Sequence, residues 1–348
     1  METIWFALVA FMLAMYVVFD GFDIGAGIVH LWVARSDPER RSVISSIGPV
    51  WDANEVWLIA GGGTLYFAFP ALYASSFSGF YLPLMIVLWL LILRGVSIEF
   101  RGHVEGEIWA SFWDAVFFAS SLLLAVFYGA ALGNVVRGVP LDIHGRFFEP
   151  LWTNFLPGPN AGILDWFTIL TGVAALATLT LHGALWIALK TRGEVSARAS
   201  QLASRVWWAV ALLTAAITFA SFKLQPQLMQ SFRTRPWGFI FPILAIAGLA
   251  GVLWFGRRRE ETKSFLASCA YILGMLCSVA FSLYPYVLPS STNPMFGLTV
   301  DSAGGPSYGL RVGLVWWLIG MSLAILYAVF TYRRFAGKVP LSQDDQGY

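Results

Sequence analysis

Long apolar segments recur along the chain and alternate with short polar stretches. A helix needs about 20 mostly apolar residues to cross a bilayer, and nine segments loosely meet that length. They are residues 4–33, 48–73, 79–98, 113–136, 161–189, 203–222, 237–256, 265–288 and 310–332. The pattern predicts an all-α polytopic membrane protein with about nine transmembrane helices. The second segment is the weakest, because Asp52, Asn54 and Glu55 dilute its start.

The composition agrees with a membrane protein. The chain is 58% hydrophobic and 12% charged, whereas soluble domains carry about 25% charged residues. We therefore expect membrane lipids around it, and the net charge of +2 does not indicate a nucleic-acid partner. The only cysteines, Cys269 and Cys277, are too few for a thiolate metal cluster. We predict that the chain binds no metal.

Lysine and arginine placement predicts the orientation, since cytoplasmic loops carry an excess of both. With nine spans, 16 of the 22 basic residues fall on one side of the membrane. This predicts an outside N-terminus and a cytoplasmic C-terminus. The loops are too short for a separate domain, so we expect one integral membrane domain over 1–348. Its expected parts are a first bundle with buried acids, a second bundle, a last helix and a flexible tail, at 1–136, 161–288, 310–332 and 339–348.

Ionisable residues stand within or beside these apolar segments, mostly in the first third of the chain. A carboxylate at the bilayer centre costs about 2.5–3.5 kcal/mol, so each one needs a partner, a water-lined cavity or a function. The residues concerned are Asp20, Asp23, Asp52, Glu55, Arg94, Glu99 and Asp114. Among the later apolar segments, the comparable acid is Asp165. This asymmetry indicates that the first bundle carries the functional site.

Two acids close the first apolar segment. Asp20 and Asp23 are three residues apart, so they share one helix face. Gly21 and Gly25 have the spacing of small residues that lets a neighbouring helix approach closely. Asp20 is expected to be paired or functional. For Asp23, a buried acid and a polar helix end at the headgroups remain equal alternatives.

Asp52 and Glu55 repeat the spacing of three at the start of the second segment. Two carboxylates on one face repel, and in a low dielectric one of them could hold a proton near neutral pH. This is typical of a proton relay. The alternative is an interfacial tryptophan belt with solvated acids. We favour a buried role for Asp52. For Glu55, a buried role and a solvated position in the tryptophan belt remain equal alternatives.

Arg94 ends the third segment, and Glu99 follows it by five residues, a poor spacing for a direct pair. Arg94 is expected to reach an acid on a neighbouring helix, with Asp23 or Asp114 as candidates. Extension of the side chain to the membrane surface is an equal alternative.

Histidine placement argues against haem in this chain, because haem needs axial ligands such as histidine within the membrane. Only His182 lies well inside a span, and a lone histidine there is more often a hydrogen-bonding residue between helices. From these residues we assign no cofactor to this chain. A subunit that binds haem itself is kept as an alternative.

Several strings resemble a known family. GFDIG, PVWDANEVWL and SGFYLP lie in the first third, and SLYPYVLPSSTNP lies near the end. Together they resemble subunit II of the bacterial cytochrome bd quinol oxidases, including the cyanide-insensitive branch. The similarity covers essentially the whole chain.

The resemblance implies a complex in the bacterial cytoplasmic membrane that oxidises quinol and reduces O2 to water. Haems b and d and the quinol site are expected on a partner, subunit I, with which this chain forms a heterodimer. The implied fold is two four-helix bundles plus a ninth helix. Some family members hold a structural quinone in this subunit or carry a small third subunit, and the residues here leave both open.

The resemblance also implies residue roles. Asp52 matches the acid on a proton route into the oxygen site, and Glu55 adds a charge where the family often has glutamine. Trp57 matches a residue near an oxygen path. Asp23, Arg94 and Asp114 match members of a buried polar network, to which we add Asp20 and Glu99.

The leading hypothesis is thus an accessory subunit of a terminal quinol oxidase, not catalytic alone. It would stabilise subunit I and contribute a proton route. The alternative is an ion-coupled secondary transporter that uses its intramembrane carboxylates.

Overall fold

The structure, a computed structural model, describes residues 1–159 and 161–339. The predicted flexible tail therefore lies outside the described residues, except for Val339. The helices are α1 (Glu2–Val33), α2 (Asp37–Ile47), α3 (Trp51–Ala68), α4 (Pro70–Gly79), α5 (Tyr81–Phe100), α6 (Glu107–Arg137), α7 (Trp166–Lys190), α8 (Gly193–Leu224), α9 (Leu228–Thr234), α10 (Ile240–Arg257), α11 (Glu261–Leu283), α12 (Val300–Ala303) and α13 (Ser307–Arg334). Short 3-10 turns at Pro236–Phe239 and Pro294–Phe296 and strands β1 (Tyr286–Leu288) and β2 (Leu298–Thr299) complete the elements.

Eight helices of the described chain are long and apolar enough to cross a membrane individually. Helices α3 and α4 together form a ninth apolar stretch, bent by 119° at Phe69. Proline lacks an N–H donor and disfavours helical conformation in the residue before it, and Pro70 begins α4. The all-α polytopic fold is confirmed. The second span is interrupted near its end rather than at its acidic start.

Helix α1 is the centre of the packing. It contacts α3, α6, α7 and α11. Helices α7, α8, α10 and α11 pack on one another, and α5 packs on α6. Because α6 also packs along α7, the helices of the two predicted bundles share one core. The division into two bundles as separate parts of the chain stays a prediction. Helix α13 lies at the periphery, with Leu310 and Thr331 as its only buried residues.

Small residues set the contact between α1 and α7. A Cβ atom added to Gly25 would lie 2.7 Å from the Cα of Gly183, well inside van der Waals contact. One added to Gly21 would lie 3.0 Å from a methyl group of Leu179. The close approach expected from the spacing of Gly21 and Gly25 is therefore present, and its partner is α7.

The loops at the N-terminal end of α1 hold the only strands of the described residues. Strand β1 pairs antiparallel with β2. Val139, just after α6, donates its N–H to Pro289 O at 3.0 Å and accepts from the N–H of Ser291 at 2.9 Å. This small ribbon joins the loop after α6 to the loop after α11. It is the departure from an otherwise all-α fold.

Candidate functional site

The first polar cluster lies where α1, α3 and α5 meet. Arg94 of α5 is fully buried, and its Nη1 donates to Asp20 Oδ1 at 2.6 Å. Its Nη2 donates to Glu55 of α3. The forked guanidinium suits this arrangement, because it presents several donors in one plane to two carboxylates. One arginine therefore compensates acids from two other helices.

Asp23 has separate partners. Asn54 Nδ2 donates to Asp23 Oδ2 at 2.7 Å, and Tyr332 of α13 donates its hydroxyl to Asn54 Oδ1 at 2.8 Å. Asp23 and Asn54 are both buried, so the alternative of a polar helix end at the headgroups does not hold for Asp23. The chain of hydrogen bonds ties peripheral α13 to α1 through α3. Asn54 and Tyr332 were not predicted from the sequence as members of the site.

Asp52 is exposed in this chain, so the buried role favoured from the sequence is wrong for the chain taken alone. It stands in the first turn of α3, whose buried residues are only Asn54, Gly61 and Ala68. A helix turns about 100° per residue, so Asp52 lies about 160° around α3 from buried Asn54. Glu55, one turn further along, is 25% exposed. Exposure thus falls stepwise from Asp52 through Glu55 to Arg94.

Two further expectations about this cluster are wrong. Arg94 pairs with Asp20 and Glu55, and neither Asp23 nor Asp114 is its partner. Glu99 is exposed and does not belong to the buried network. At about 100° per residue, five residues place Glu99 about 140° around α5 from Arg94. The face that buries Arg94 therefore turns Glu99 outward.

Asp114 organises a second cluster at the start of α6. Arg101 Nε donates to Asp114 Oδ1 at 2.6 Å, and Arg40 Nη1 donates to Oδ2 at 3.0 Å. His30 Nε2 lies 3.6 Å from Oδ1. Arg101 also donates to Asp37 Oδ1 at 2.8 Å. The sequence interpretation did not identify Arg40 or Arg101 as members of a buried cluster, because their partner acid is distant in sequence.

A third cluster lies at the opposite end of α6. Arg137 donates to Asp165, the N-cap of α7, and to Glu149 Oε1 at 2.6 Å in the intervening loop. It also donates to Asn134 Oδ1 at 2.7 Å. Burial raises the pKa of Glu149 to about 7. The attraction of Arg137 lowers this pKa by less than burial raises it, and Arg137 is also paired with Asp165. The sequence interpretation noted Asp165 alone.

Trp57 lies on α3 beyond the acids. Its side chain is half-buried, and its ring centroid is 5.4 Å from that of Phe19 on α1. Further along α3, a Cβ atom at Gly62 or Gly63 would meet no atom within 4 Å. The outer face of α3 therefore combines an acid with an open glycine pair.

Residues 1–335 match the family described as cytochrome bd terminal oxidase subunit II. The chain belongs to this family. It is 32% identical to cytochrome bd ubiquinol oxidase subunit 2 of Bacillus subtilis, with 97% of each chain covered. It is 30% identical to a probable cytochrome oxidase subunit 2 of Haemophilus influenzae, over 97% of this chain and 94% of that one. The solved bd oxidase from Geobacillus thermodenitrificans has the same fold, with a TM-score of 0.71 at 18% identity, covering 96% of this chain and 98% of that chain.

Family membership confirms the resemblance. The chain is a multi-pass membrane subunit of an oxidoreductase, and a subunit II implies a subunit I as its partner. Membership favours the oxidase subunit over the ion-coupled transporter. A cytochrome complex contains haem, which needs axial ligands such as histidine. The surroundings of the histidines show whether this subunit could supply them.

The histidines do not fit haem ligation. His182 has both ring nitrogens engaged, Nδ1 with Ser268 Oγ at 2.7 Å and Nε2 with Val18 O at 2.9 Å. This confirms its expected role as a hydrogen-bonding residue between helices. His30 is held by Gly27 O at 2.7 Å and faces Asp114. The remaining two, His103 and His144, are exposed in loops.

Proposed function

We propose that this chain is the accessory subunit II of a quinol:oxygen oxidoreductase. It stabilises a haem-bearing subunit I and conducts protons toward the oxygen-reducing site on that partner. The observation that carries the proton route is the stepwise burial of charged side chains. Asp52 is exposed, Glu55 is partly exposed, and Arg94 and Asp20 are fully buried.

Several polar atoms at the buried end of this series lack a hydrogen-bond partner among the described residues. Asp20 Oδ2, Asp23 Oδ1 and Arg94 Nε are buried and have no hydrogen-bond partner among the described residues. A buried polar atom without a partner costs about 1–3 kcal/mol. Water molecules in a proton route would satisfy these atoms and link the two carboxylates. This supports a hydrated polar cluster that adjoins Glu55.

Subunit I is proposed to dock on the outer face of α3. This face exposes Asp52 and Ile59 and leaves Gly62 and Gly63 open. A carboxylate is unfavourable against lipid, whereas small residues permit a second helix to approach closely. Docking there would cover Asp52. Trp57 lies toward α1 on the other side of α3, where we propose that it borders an oxygen path.

The proposed orientation agrees with this direction of transport. With the N-terminus outside the bacterial cytoplasmic membrane, the clusters around Glu55 and Asp114 lie toward the cytoplasmic end of the spans. The Arg137 cluster then lies on the outer side. Protons would enter from the cytoplasm at Asp52. A structural quinone and a small third subunit stay predictions to which the geometry assigns no residue.

The test replaces Asp52 with asparagine, which keeps the side-chain shape and removes the titratable group. The complex is purified, and oxygen consumption with quinol is compared with haem content from the optical spectrum. We expect slower turnover at unchanged haem content. Glu99→Gln is the matched control, because it removes an exposed acid at the same end of the bundle and should leave turnover unchanged. Normal turnover in Asp52→Asn would remove Asp52 from the route.

A further inference from the structure

A cavity of about 240 Å³ opens at the end of the bundle that holds the N-terminus of α1. It lies between the last turns of α8 and α11 and the short helix α9. Its polar lining includes Gln225, Gln230, Ser231, Thr234, Arg235 and Tyr284. Nothing in the proton route described above involves this cavity.

Most hydrogen-bond donors of the lining are already used. Ser231 Oγ donates to Ser282 O at 3.0 Å, and Thr234 Oγ1 donates to Gln230 O at 2.9 Å. Gln225 Nε2 donates at 2.5 Å to the backbone carbonyl of Arg137. Arg235 is the charged residue of the lining, and its guanidinium forms no side-chain hydrogen bond or ion pair with any described residue. It lies 4.5 Å over the ring of Tyr284, which fixes its position and leaves its donors free.

The charged side chains of the segment 223–236, which forms much of the cavity wall, have one sign. Residues 223–236 contain Lys223, Arg233 and Arg235 and no acid. Lys223 and Arg233 are exposed, and neither forms an ion pair within the part of the chain that the structure describes. The segment therefore presents uncompensated positive charge, which favours an anionic ligand.

Exposed apolar side chains flank the segment that carries the cavity. The segment that carries it connects two spans, α8 and α10. Phe219, near the end of α8, is 72% exposed, and Trp237 and Ile240, at the start of the next span, are 64% and 60% exposed. Tryptophan is typical of the headgroup level of a bilayer. A ligand in the cavity would thus have its polar part beside Arg235 and an apolar part along these side chains.

We propose that this cavity binds the headgroup of an anionic phospholipid, with the acyl chains along α8 and α10. The guanidinium of Arg235 donates to the phosphate, a pairing that is short and strong because both groups are charged. Lys223 and Arg233 add attraction from the rim. The site is specific for anionic over zwitterionic lipid, since the positive charge is not balanced by any nearby acid within residues 223–236.

Lipid binding by the purified membrane complex tests this. The complex is delipidated in detergent, titrated with phosphatidylglycerol or phosphatidylcholine of equal chain length, and observed by native mass spectrometry. We expect preferential retention of phosphatidylglycerol. Arg235→Gln should weaken that retention about fivefold, the effect of one basic residue near a charged headgroup, without changing phosphatidylcholine retention. Arg235→Lys should keep most of the preference.

Arg258→Gln is the matched control. Arg258 is an exposed arginine stacked on Trp254 at 4.4 Å, at the opposite end of α10. An equal loss in Arg258→Gln and Arg235→Gln would show non-specific surface charge and overturn the proposal. Equal retention of both lipids by the unaltered complex would also overturn it. Displacement of phosphatidylglycerol by inorganic phosphate at equal concentration, or retention of a quinone in its place, would assign the cavity to another ligand and overturn it as well.

Discussion

The ion pair between Asp20 and Arg94 gives the sharpest stability prediction. Both side chains are fully buried, and Arg94 Nη1 is the only hydrogen-bond partner of the Asp20 carboxylate among the described residues. Arg94→Gln removes the positive charge and leaves Asp20 as an uncompensated buried acid. Glu55 is less affected, because it is partly exposed and water can solvate it.

Removing one partner of a buried ion pair costs about 3–5 kcal/mol, whereas replacing both partners with neutral groups is often close to neutral. We therefore expect Arg94→Gln to lower the melting temperature of the purified complex by several degrees. The double variant Asp20→Asn with Arg94→Gln should recover much of that loss. A double-mutant cycle should give a coupling of about 2–3 kcal/mol, at the upper end for residues in direct contact.

The assay is thermal unfolding of the detergent-purified complex, followed by intrinsic tryptophan fluorescence. Arg205→Gln provides the same substitution at an exposed position of α8 that forms no ion pair among the described residues, and should melt like the unaltered chain. Two results would refute the reasoning. One is an unchanged melting temperature in Arg94→Gln, and the other is a double variant whose loss equals the sum of the two single losses.

Three further predictions concern other parts of the fold. Because the pKa of Glu149 is raised to about 7 in the folded chain, Glu149→Gln, which resembles the protonated acid, should be as stable as the unaltered complex below about pH 4.5. As the pH rises through about 7, the variant should become more stable than the unaltered complex, by up to about 3 kcal/mol. A pH series of melting temperatures checks this, and a difference that does not change with pH would contradict it. Gly25→Ala should reduce assembly of the complex, because the added methyl group would meet the backbone of Gly183, while Gly320→Ala, where the space is open, should not; the yield of assembled complex is the measurement. Asp114→Asn should destabilise the complex by about 1–3 kcal/mol, since its two arginine partners lose a buried acceptor charge, and an unchanged melting temperature would exclude this.

The number of membrane-spanning segments followed from the sequence if the bent pair α3–α4 counts as one, because hydrophobic length is a local property that packing does not change. The bend at Phe69 was not predicted, although Pro70 marks a position at which a helix is interrupted. The burial of Asp20 also followed from its apolar surroundings. These features depend on short stretches of chain.

The partners of the charged residues did not follow from the sequence. The choice of Asp20 and Glu55 by Arg94, in place of Asp23 or Asp114, depends on how α1, α3 and α5 are rotated against one another. The exposure of Asp52 depends on which narrow face of α3 meets α1. Such rotations are set by packing between helices distant in sequence, so spacing within one helix cannot reveal them.

The central claim, that protons reach the partner subunit through this chain, is tested most directly by single-turnover proton uptake. The fully reduced complex is mixed rapidly with oxygen, and a pH-sensitive dye follows proton loss from the bulk solution. We predict that Asp52→Asn slows proton uptake together with oxygen reduction, while Glu99→Gln takes up protons at the unaltered rate. Uptake at the normal rate in Asp52→Asn would contradict the claim.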